Sequence, residues 1–341
     1  MQETVEIKGM GCITPIGNTV EKFSSALSGF IPGNSVKQHS SSLTIRNITK
    51  FDYLPEGLTE ACPQLDIACR YVLAATEQAL RDADIDLCRT YDCSRVAVVM
   101  GTTFNIIDTQ ERYLDRLYKT GVASPLLFKQ TANNLLSGII AQRYGLKGFN
   151  MTISNGWTSG LDALITGKTL LSCKQADLVI AGGVDVLNSS VLEFYEGMKR
   201  EGFLKKEFIA GEGCGVVLLG AGNTDGTRFQ KPRNCLIEAG KGNYFTDNDI
   251  QYQINSIFKK EIKIDNYFAN YNKSKIDSIE KDALEQNFAG NVLDIKSMTG
   301  ECGASSGILQ LIYSAVIKDT VSCIFNACFM GHASYVIVGR V

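Results

Sequence analysis

Hydrophobic positions along this chain follow two alternating spacings, one typical of helices and one typical of buried strands. Residues 66–84 carry apolar side chains at helical spacing, and 107–118 and 130–143 are also predicted to be helices. A continuous apolar run that ends in glycine occupies residues 96–101, as expected for a strand buried on both faces of a parallel sheet, and residues 177–183 predict another buried strand. The pattern therefore predicts an α/β protein.

The first sixty residues are less regular. They predict a strand at 4–9, a glycine-punctuated turn that reaches Gly17, and a helix near 20–28. Residues 30–60 are rich in Ser, Asn and Pro and have weak periodicity. We therefore expect an irregular surface insertion near 30–60, with His39 in a polar loop.

The end of the chain repeats the order of elements found in its middle. Residues 149–153 predict a strand, followed by a tight turn of small residues, a helix and the strand at 177–183. Residues 295–307 predict a second such turn, followed by a helix to about Ile317 and a strand at 321–325. The stretch 221–233 is polar and turn-forming. We therefore predict two similar βα halves, at residues 1–220 and 234–341.

Composition narrows the class of protein. The chain has 341 residues and a net charge of −2, which does not point to nucleic acid or to an anionic membrane surface. No apolar run approaches the roughly 18 residues of a membrane span, and we expect a cytoplasmic protein. Its eleven cysteines are dispersed, without a CxxC pair, so reduced thiols are expected. No His, Cys, Asp and Glu spacing resembles a metal site.

The turn at residues 153–160 is a candidate site of chemistry. A strand that leads through such an elbow into a helix normally displays a nucleophile, because the first-turn amides and the helix dipole stabilise negative charge. The residue displayed here is Trp157. An indole is not such a nucleophile, so the elbow lacks the expected reactive group.

Several motifs, each weak alone, follow one another in an order that resembles a known family. They are Gly9-x-Gly11-Cys12-Ile13-Thr14-Pro15-Ile16-Gly17, Gly145-Leu146-Lys147-Gly148, Ala176-Asp177-Leu178-Val179-Ile180-Ala181-Gly182-Gly183, Gly211-Glu212-Gly213, Lys296-x-x-x-Gly300 and Phe329-Met330-Gly331-His332. Together they resemble the β-ketoacyl synthases. The resemblance implies a thiolase-like fold, layered α/β/α/β/α, and the condensation of two acyl thioesters by an elbow cysteine and two histidines.

The catalytic positions that this resemblance implies are all changed. Trp157 occupies the cysteine position. The first histidine falls on Asn270 or, without a gap, on Ala269, and the second falls on Glu301, whereas Lys296 is retained. No catalytic residue is therefore expected. A buried Glu301 needs a partner, so we expect Lys296 to pair with it or with Asp277.

Within the family, this sequence with its replaced cysteine is similar to the chain length factors. These are the β subunits of type II polyketide synthases and of related aryl polyene systems. The resemblance implies a catalytically inactive subunit that forms a heterodimer with an active ketosynthase α subunit. An acyl carrier protein is the third partner, and its phosphopantetheine enters through the complex, with no cofactor bound directly.

Two segments are predicted to meet the partner or the tunnel that the subunits share. Ile107, Gln110 and Leu114 lie at i, i+3 and i+7 on one helical face and would line the tunnel. A stripe facing this chain's own core is equally consistent with that spacing. The stretch that contains Phe149, Met151 and Ile153 resembles the family's dimer strand.

Two other functions remain open from the sequence. One is a thiolase-fold acyltransferase or hydrolase with a relocated nucleophile, for which Ser159, Thr158 and a cluster of Cys302, Glu301 and His332 are the candidates. The other is an acyl-binding protein that acts alone. Acyl loading on this chain would indicate the first, and a soluble homodimer would indicate the second.

Overall fold

A computed structural model describes residues 4–29, 36–39, 43–49, 51, 65–222, 234–317 and 319–340 of the chain. Its strands are β1 (Val5–Ile13), β2 (Val36–His39), β3 (Leu43–Arg46), β4 (Val96–Gly101), β5 (Asn150–Ile153), β6 (Leu178–Asp185), β7 (Ile209–Gly211), β8 (Gly213–Ala221), β9 (Asn234–Asn243), β10 (Asn266–Phe268), β11 (Asn291–Leu293), β12 (Ser322–Cys328) and β13 (His332–Arg340). Its α-helices are α1 (Val20–Gly29), α2 (Ile67–Ala83), α3 (Leu87–Thr90), α4 (Ile107–Thr120), α5 (Pro125–Lys129), α6 (Leu135–Tyr144), α7 (Ser159–Ser172), α8 (Ser189–Arg200), α9 (Asp247–Phe258), α10 (Ile276–Asn287), α11 (Lys296–Thr299) and α12 (Ser305–Val316).

The main sheet contains the same arrangement of strands twice. Its described strands run in the order β11-β10-β12-β13-β9-β1-β8-β6-β4-β5. In the first half β4 is parallel to β5 and β6, and β8 is antiparallel to β6 and β1. In the second half β10 is parallel to β11 and β12, and β13 is antiparallel to β12 and β9. The halves join edge to edge where β1 pairs with β9.

Helices cover both halves and fill the space between them. Helices α7 and α12 share one apolar cluster with strands of both halves, so they form a middle layer. Helix α2 packs on the other side of the first half, and α9 and α10 pack on the other side of the second. This order of layers confirms the predicted α/β/α/β/α fold with two similar halves. None of the described helices is both long enough and apolar enough to cross a membrane.

The predicted turn after residue 9 is wrong, because β1 continues to Ile13. A Cβ on Gly9 would lie 2.2 Å from the carbonyl oxygen of Ala79, and one on Gly11 would lie 2.1 Å from that of Ala75. Both oxygens belong to α2. The two glycines therefore let a helix lie directly against the strand, and the chain turns only after Ile13.

The described part of the insertion near residues 30–60 is more regular than predicted, whereas residues 30–35, 40–42, 50 and 52–60 lie outside the described residues. Strands β2 and β3 form a small sheet with β7, and His39 lies in β2 rather than in a loop. Leu43 and Ile45 on β3 are buried, so alternate apolar side chains anchor this sheet. Helix α6 starts at Leu135, later than predicted, because the short helix α5 precedes it. Most of the predicted connection at 221–233 lies outside the described residues.

Candidate functional site

Trp157 lies in a 3-10 turn (Gly156–Thr158) between β5 and α7, and its side chain is completely buried. Its ring stacks on Phe208 at 6.4 Å between centroids and meets Phe329 edge to face at 5.1 Å. Tyr195 lies 6.3 Å away. Trp157 thus fills the core, since aromatic side chains pack where the elbow would otherwise display a reactive group.

The hydroxyl groups on the elbow are held by the turn itself. Ser159 Oγ donates to the carbonyl oxygen of Gly156 at 2.6 Å and accepts from the amide of Asn155 at 2.7 Å. Thr158 Oγ1 donates to the carbonyl oxygen of Asn155 at 3.2 Å. A hydroxyl becomes nucleophilic when a base takes its proton. The Ser159 hydroxyl instead bonds to backbone groups, which gives it a structural role. Thr158 Oγ1 also lies 3.4 Å from Asp162 Oδ2, but the Thr158 side chain is completely buried.

Lys296 and Glu301 form a buried ion pair with 2.8 Å between Nζ and Oε2. Lys296 Nζ also donates to Asn326 Oδ1 at 3.1 Å and to Asn270 Oδ1 at 3.4 Å. Glu301 Oε1 accepts from Ser306 Oγ at 2.7 Å. Breaking such a pair leaves a buried charge and costs roughly 3–5 kcal/mol. The predicted pairing of Lys296 is thus confirmed, with Glu301 as the partner rather than Asp277.

Of the two residues predicted at the first histidine position, Asn270 is the one beside Lys296. Its Oδ1 also accepts from the amide of Ala327 at 3.1 Å. The side chain of Ala269 is buried elsewhere in the core, and its carbonyl oxygen accepts from Gln310 Nε2 at 2.8 Å. The structure therefore brings Asn270, Glu301 and Lys296 together.

The cleft next to this ion pair is almost closed. Its volume is about 10 Å³, and Phe208, Tyr271, Lys296 and Glu301 are among its lining residues. A single water molecule needs roughly 10–15 Å³. The cleft leaves no space for an acyl chain or for a pantetheine arm.

The candidate cluster of Cys302, Glu301 and His332 shares no hydrogen bond, because each residue bonds to other groups. The Cys302 thiol donates to backbone carbonyl oxygens, at 3.3 Å to Glu212, and burial raises its pKa well above the ordinary value. His332 Nδ1 lies 2.8 Å from Asn243 Oδ1 and faces another cavity, of about 300 Å³. Cys302 is therefore held as a neutral thiol, away from the histidine. The described residues include no group of three or more His, Cys, Asp or Glu that could hold a metal ion.

The three predicted tunnel residues run along α4 from the core to the surface. Ile107 packs against the aromatic cluster around Trp157. The half-buried Gln110 donates through Nε2 to the carbonyl oxygen of Thr131 at 3.3 Å, whereas Leu114 is 47% exposed. A stripe that only faces this chain's core does not account for Leu114.

Strand β5 lies at one end of the main sheet, so one of its edges is unpaired among the described residues. Phe149, just before it, is 43% exposed, and Met151 within it is 40% exposed. Ile153, predicted with them, is buried and packs into the cluster between the two halves. An edge with exposed apolar side chains is suited to pairing with another chain.

Sequence analysis missed several residues of the site. Tyr195, Phe208 and Phe329 surround Trp157, but their positions along the chain give no sign that they meet. Asp185 is buried at the end of β6 and binds backbone amides of two loops. Its place directly after a buried strand was a usable signal, because functional side chains collect at the carboxyl ends of such strands.

Comparisons with known proteins agree with this architecture. Residues 2–224 match the family model described as the N-terminal domain of β-ketoacyl synthase. The chain is 28% identical over 188 residues to 3-oxoacyl-[acyl-carrier-protein] synthase 2 of Vibrio harveyi, covering 53% of this chain and 45% of the relative. The chain thus spans about half the length of the curated relatives it matches.

Two solved structures share the fold over nearly the whole chain. The ishigamide ketosynthase/chain length factor matches with a TM-score of 0.85 at 17% identity, covering 99% of both chains. A type II polyketide synthase ketosynthase, solved with its acyl carrier protein, matches with a TM-score of 0.83 at 18% identity, covering 100% of both. The family model spans more than half of the chain, and this chain belongs to the β-ketoacyl synthase family.

Proposed function

We propose that this chain is a chain length factor, the non-catalytic β subunit of a type II polyketide synthase. The observation that carries the proposal is Trp157, which is completely buried at the elbow of a β-ketoacyl synthase fold. Acyl transfer through a covalent intermediate requires a nucleophile at this point. The indole supplies none and fills the space with an aromatic cluster.

The surrounding charges support the same proposal. The positive charge of Lys296 is already paired with Glu301, which occupies one of the family's histidine positions. Asn270, at the other, accepts hydrogen bonds through its oxygen from Lys296 and from a backbone amide. A developing oxyanion needs preorganised donors aimed at free space, and the closed cleft offers no such space.

In the proposed complex, an active ketosynthase α subunit carries the nucleophile and performs the condensation. An acyl carrier protein delivers the growing chain on its phosphopantetheine arm, and this chain binds no cofactor itself. Ile107, Gln110 and Leu114 line the shared tunnel, and Phe149 and Met151 lie at the subunit interface. The product is an aromatic polyketide or an aryl polyene.

The test is co-expression of this chain with a ketosynthase and carrier protein encoded beside it. The complex is purified through a tag on this chain and incubated with malonyl-loaded carrier, and each chain is weighed by intact mass spectrometry. We expect a one-to-one complex with acyl groups on the ketosynthase only.

An acyl increment on this chain would overturn the proposal and favour an acyltransferase with a relocated nucleophile. Cys302→Ala, Cys214→Ala and Ser159→Ala variants would then identify the acylated atom. A soluble homodimer that does not bind the ketosynthase would contradict the proposed partnership and favour an acyl-binding protein that acts alone.

A further inference from the structure

Asp185 is a buried carboxylate, 3% exposed, at the last position of β6. Its Oδ1 accepts from Thr102 Oγ1 at 2.9 Å, from the amide of Thr103 at 2.9 Å and from that of Phe104 at 3.0 Å. Its Oδ2 accepts from the amide of Ala304 at 2.7 Å. One side chain thus binds the turn after β4 and the start of α12, which belong to different halves of the fold.

The negative charge of Asp185 is balanced by these donors. None of the basic side chains in the described ranges forms an ion pair with it. Burial raises its pKa, and the amide donors oppose that rise. The backbone leaves little room around it, since a Cβ on Gly303 would lie 2.2 Å from Oδ2. The position is therefore fitted to a carboxylate of this length.

The turn that Asp185 holds leads directly into α4. Thr102 Oγ1, which donates to Asp185, also accepts from the amide of Asn105 at 2.8 Å, so the carboxylate fixes the turn as far as residue 105. Asn105 has a φ of +59°, a conformation that needs outside support in a residue other than glycine. Ile106, at the N-cap position of α4, makes no side-chain capping bond. The start of α4 therefore depends on the turn.

Other contacts also hold α4 beyond this turn, among them hydrogen bonds from Asn188 Nδ2 to Asp108 at 2.9 Å and to Glu111 at 3.2 Å. Thr109 Oγ1 donates to Asp66 Oδ2 at 2.7 Å in the first helical turn of α4. Further along, Leu114 and Tyr118 are exposed. A small shift at the start of a helix moves the rest of it as a rigid body. The turn at residues 102–105 is thus one of the contacts that set the position of Leu114.

We propose, as an extension of the proposed function, that Asp185 is a positioning residue that sets the place of α4 in the shared tunnel and thereby the length of the product. An Asp185→Asn side chain keeps one acceptor oxygen and turns an NH₂ group toward a backbone N–H. The turn then loses acceptors that it cannot replace in the core.

The test compares Asp185→Asn with Glu280→Gln in the complex with the ketosynthase and the carrier protein. Glu280 is a matched control because it is also a buried carboxylate bound to backbone amides, those of Asn270 and Tyr271, but it lies on α10 in the second half of the fold. Hydrogen exchange of residues 103–114 and the distribution of product lengths are measured for each.

We expect Asp185→Asn to speed exchange of the turn and first helical turn of α4 by roughly tenfold and to broaden the distribution of product lengths. Glu280→Gln should change neither. Unchanged exchange in Asp185→Asn would overturn the positioning role. Faster exchange with unchanged product lengths would overturn the link to the tunnel.

If Asp185→Asn does not fold, Thr102→Val provides a milder change, because it removes only the hydroxyl between Asp185 and Asn105. Its effects on hydrogen exchange and product length should have the same direction.

Failure of the proposed function is distinguishable from failure of this extension. A wild-type chain that takes up acyl groups or binds no ketosynthase contradicts the function, whereas the exchange measurement still tests Asp185 on the chain alone.

Discussion

Trp157 lies within 6.4 Å, centroid to centroid, of the rings of Tyr195, Phe208 and Phe329. A fully buried tryptophan contributes to the core, and truncating one costs roughly 3–5 kcal/mol. The same residue removes the nucleophile from the elbow. Under the proposed function, stability and the loss of chemistry therefore depend on one side chain, and restoring the family's cysteine would act on both.

A Trp157→Cys variant should not regain acyl transfer. The new thiol would be buried, which disfavours the thiolate, and Lys296 would remain paired with Glu301 and could not offset that cost. Intact mass spectrometry with malonyl-loaded carrier should show no increment on this chain, and stability should fall by roughly 3–5 kcal/mol. The wild-type chain is the control, and acylation of the variant would indicate that the remaining site is competent.

Glu280 introduces a pH dependence near the same network. It is completely buried and accepts from Asn270 N at 2.9 Å and from the Tyr267 hydroxyl at 3.1 Å. Burial raises its pKa from 4.5 to about 8. Because the folded state disfavours the charged form, this contribution to stability is complete below about pH 4.5 and is lost as pH rises toward 8.

A Glu280→Gln variant should therefore lose less stability than the wild type between pH 5 and 8.5, by on the order of 3 kcal/mol. Pulse proteolysis in urea, following the band of this chain, measures the free energy of unfolding at each pH. Glu285→Gln on the same helix is the control, because Glu285 is exposed. Parallel pH curves for wild type and Glu280→Gln would show that Glu280 does not titrate in this range.

At the scale of elements, α4 is the helix on which the proposed function depends most. Its buried end contacts the aromatic cluster through Ile107, and its other end carries the exposed Leu114 and Tyr118. The neighbouring α5 adds Leu126 and Phe128, which are also exposed. Apolar side chains left in contact with water on adjacent helices indicate a surface that a partner covers.

Enlarging Leu114 to Trp should shorten the product, because the added rings reduce the depth of the tunnel. Product lengths from the reconstituted complex are measured by mass spectrometry. Arg116→Trp is the matched control, since residue 116 lies about 200° around the helix from residue 114. Unchanged product length in Leu114→Trp, or equal shortening in both variants, would remove the proposed role of this helical face.

The elements could be predicted where periodicity and burial agree. The spacing of apolar residues gave α2 and the runs that became β4 and β6. It failed at β1, where Gly9 and Gly11 serve the approach of α2 rather than a turn. The pairing of Lys296 with Glu301 followed from the cost of burying a lone charge. The hydrogen bonds of Asp185 could not be predicted, because most of its donors are backbone amides, which carry no signature in the sequence.

At the scale of the whole molecule, the two halves have the same strand order and join through β1 and β9. The repeat leaves β5 at one end of the described sheet and β11 at the other. The two edges are equivalent by topology, but under the proposed function the partner subunit binds only the β5 edge. Only β5 belongs to the half that also carries Trp157 and α4.

A Met151→Lys substitution on β5 should weaken the complex with the ketosynthase by at least about tenfold, because a charge on an edge strand discourages pairing and must lose water at an apolar interface. Val292→Lys is the matched control. Val292 lies on β11, at the opposite edge, and its exposure of 42% is close to the 40% of Met151. Both variants should fold, since neither side chain belongs to the core.

Titration of each variant with the purified ketosynthase, followed by size-exclusion chromatography, gives the two affinities. Loss of binding in Met151→Lys alone would place the partner on the β5 edge. Equal affinities in the two variants would contradict that interface. Equal losses would point instead to a general effect of surface charge, which added salt would screen within a Debye length of about 8 Å at physiological ionic strength.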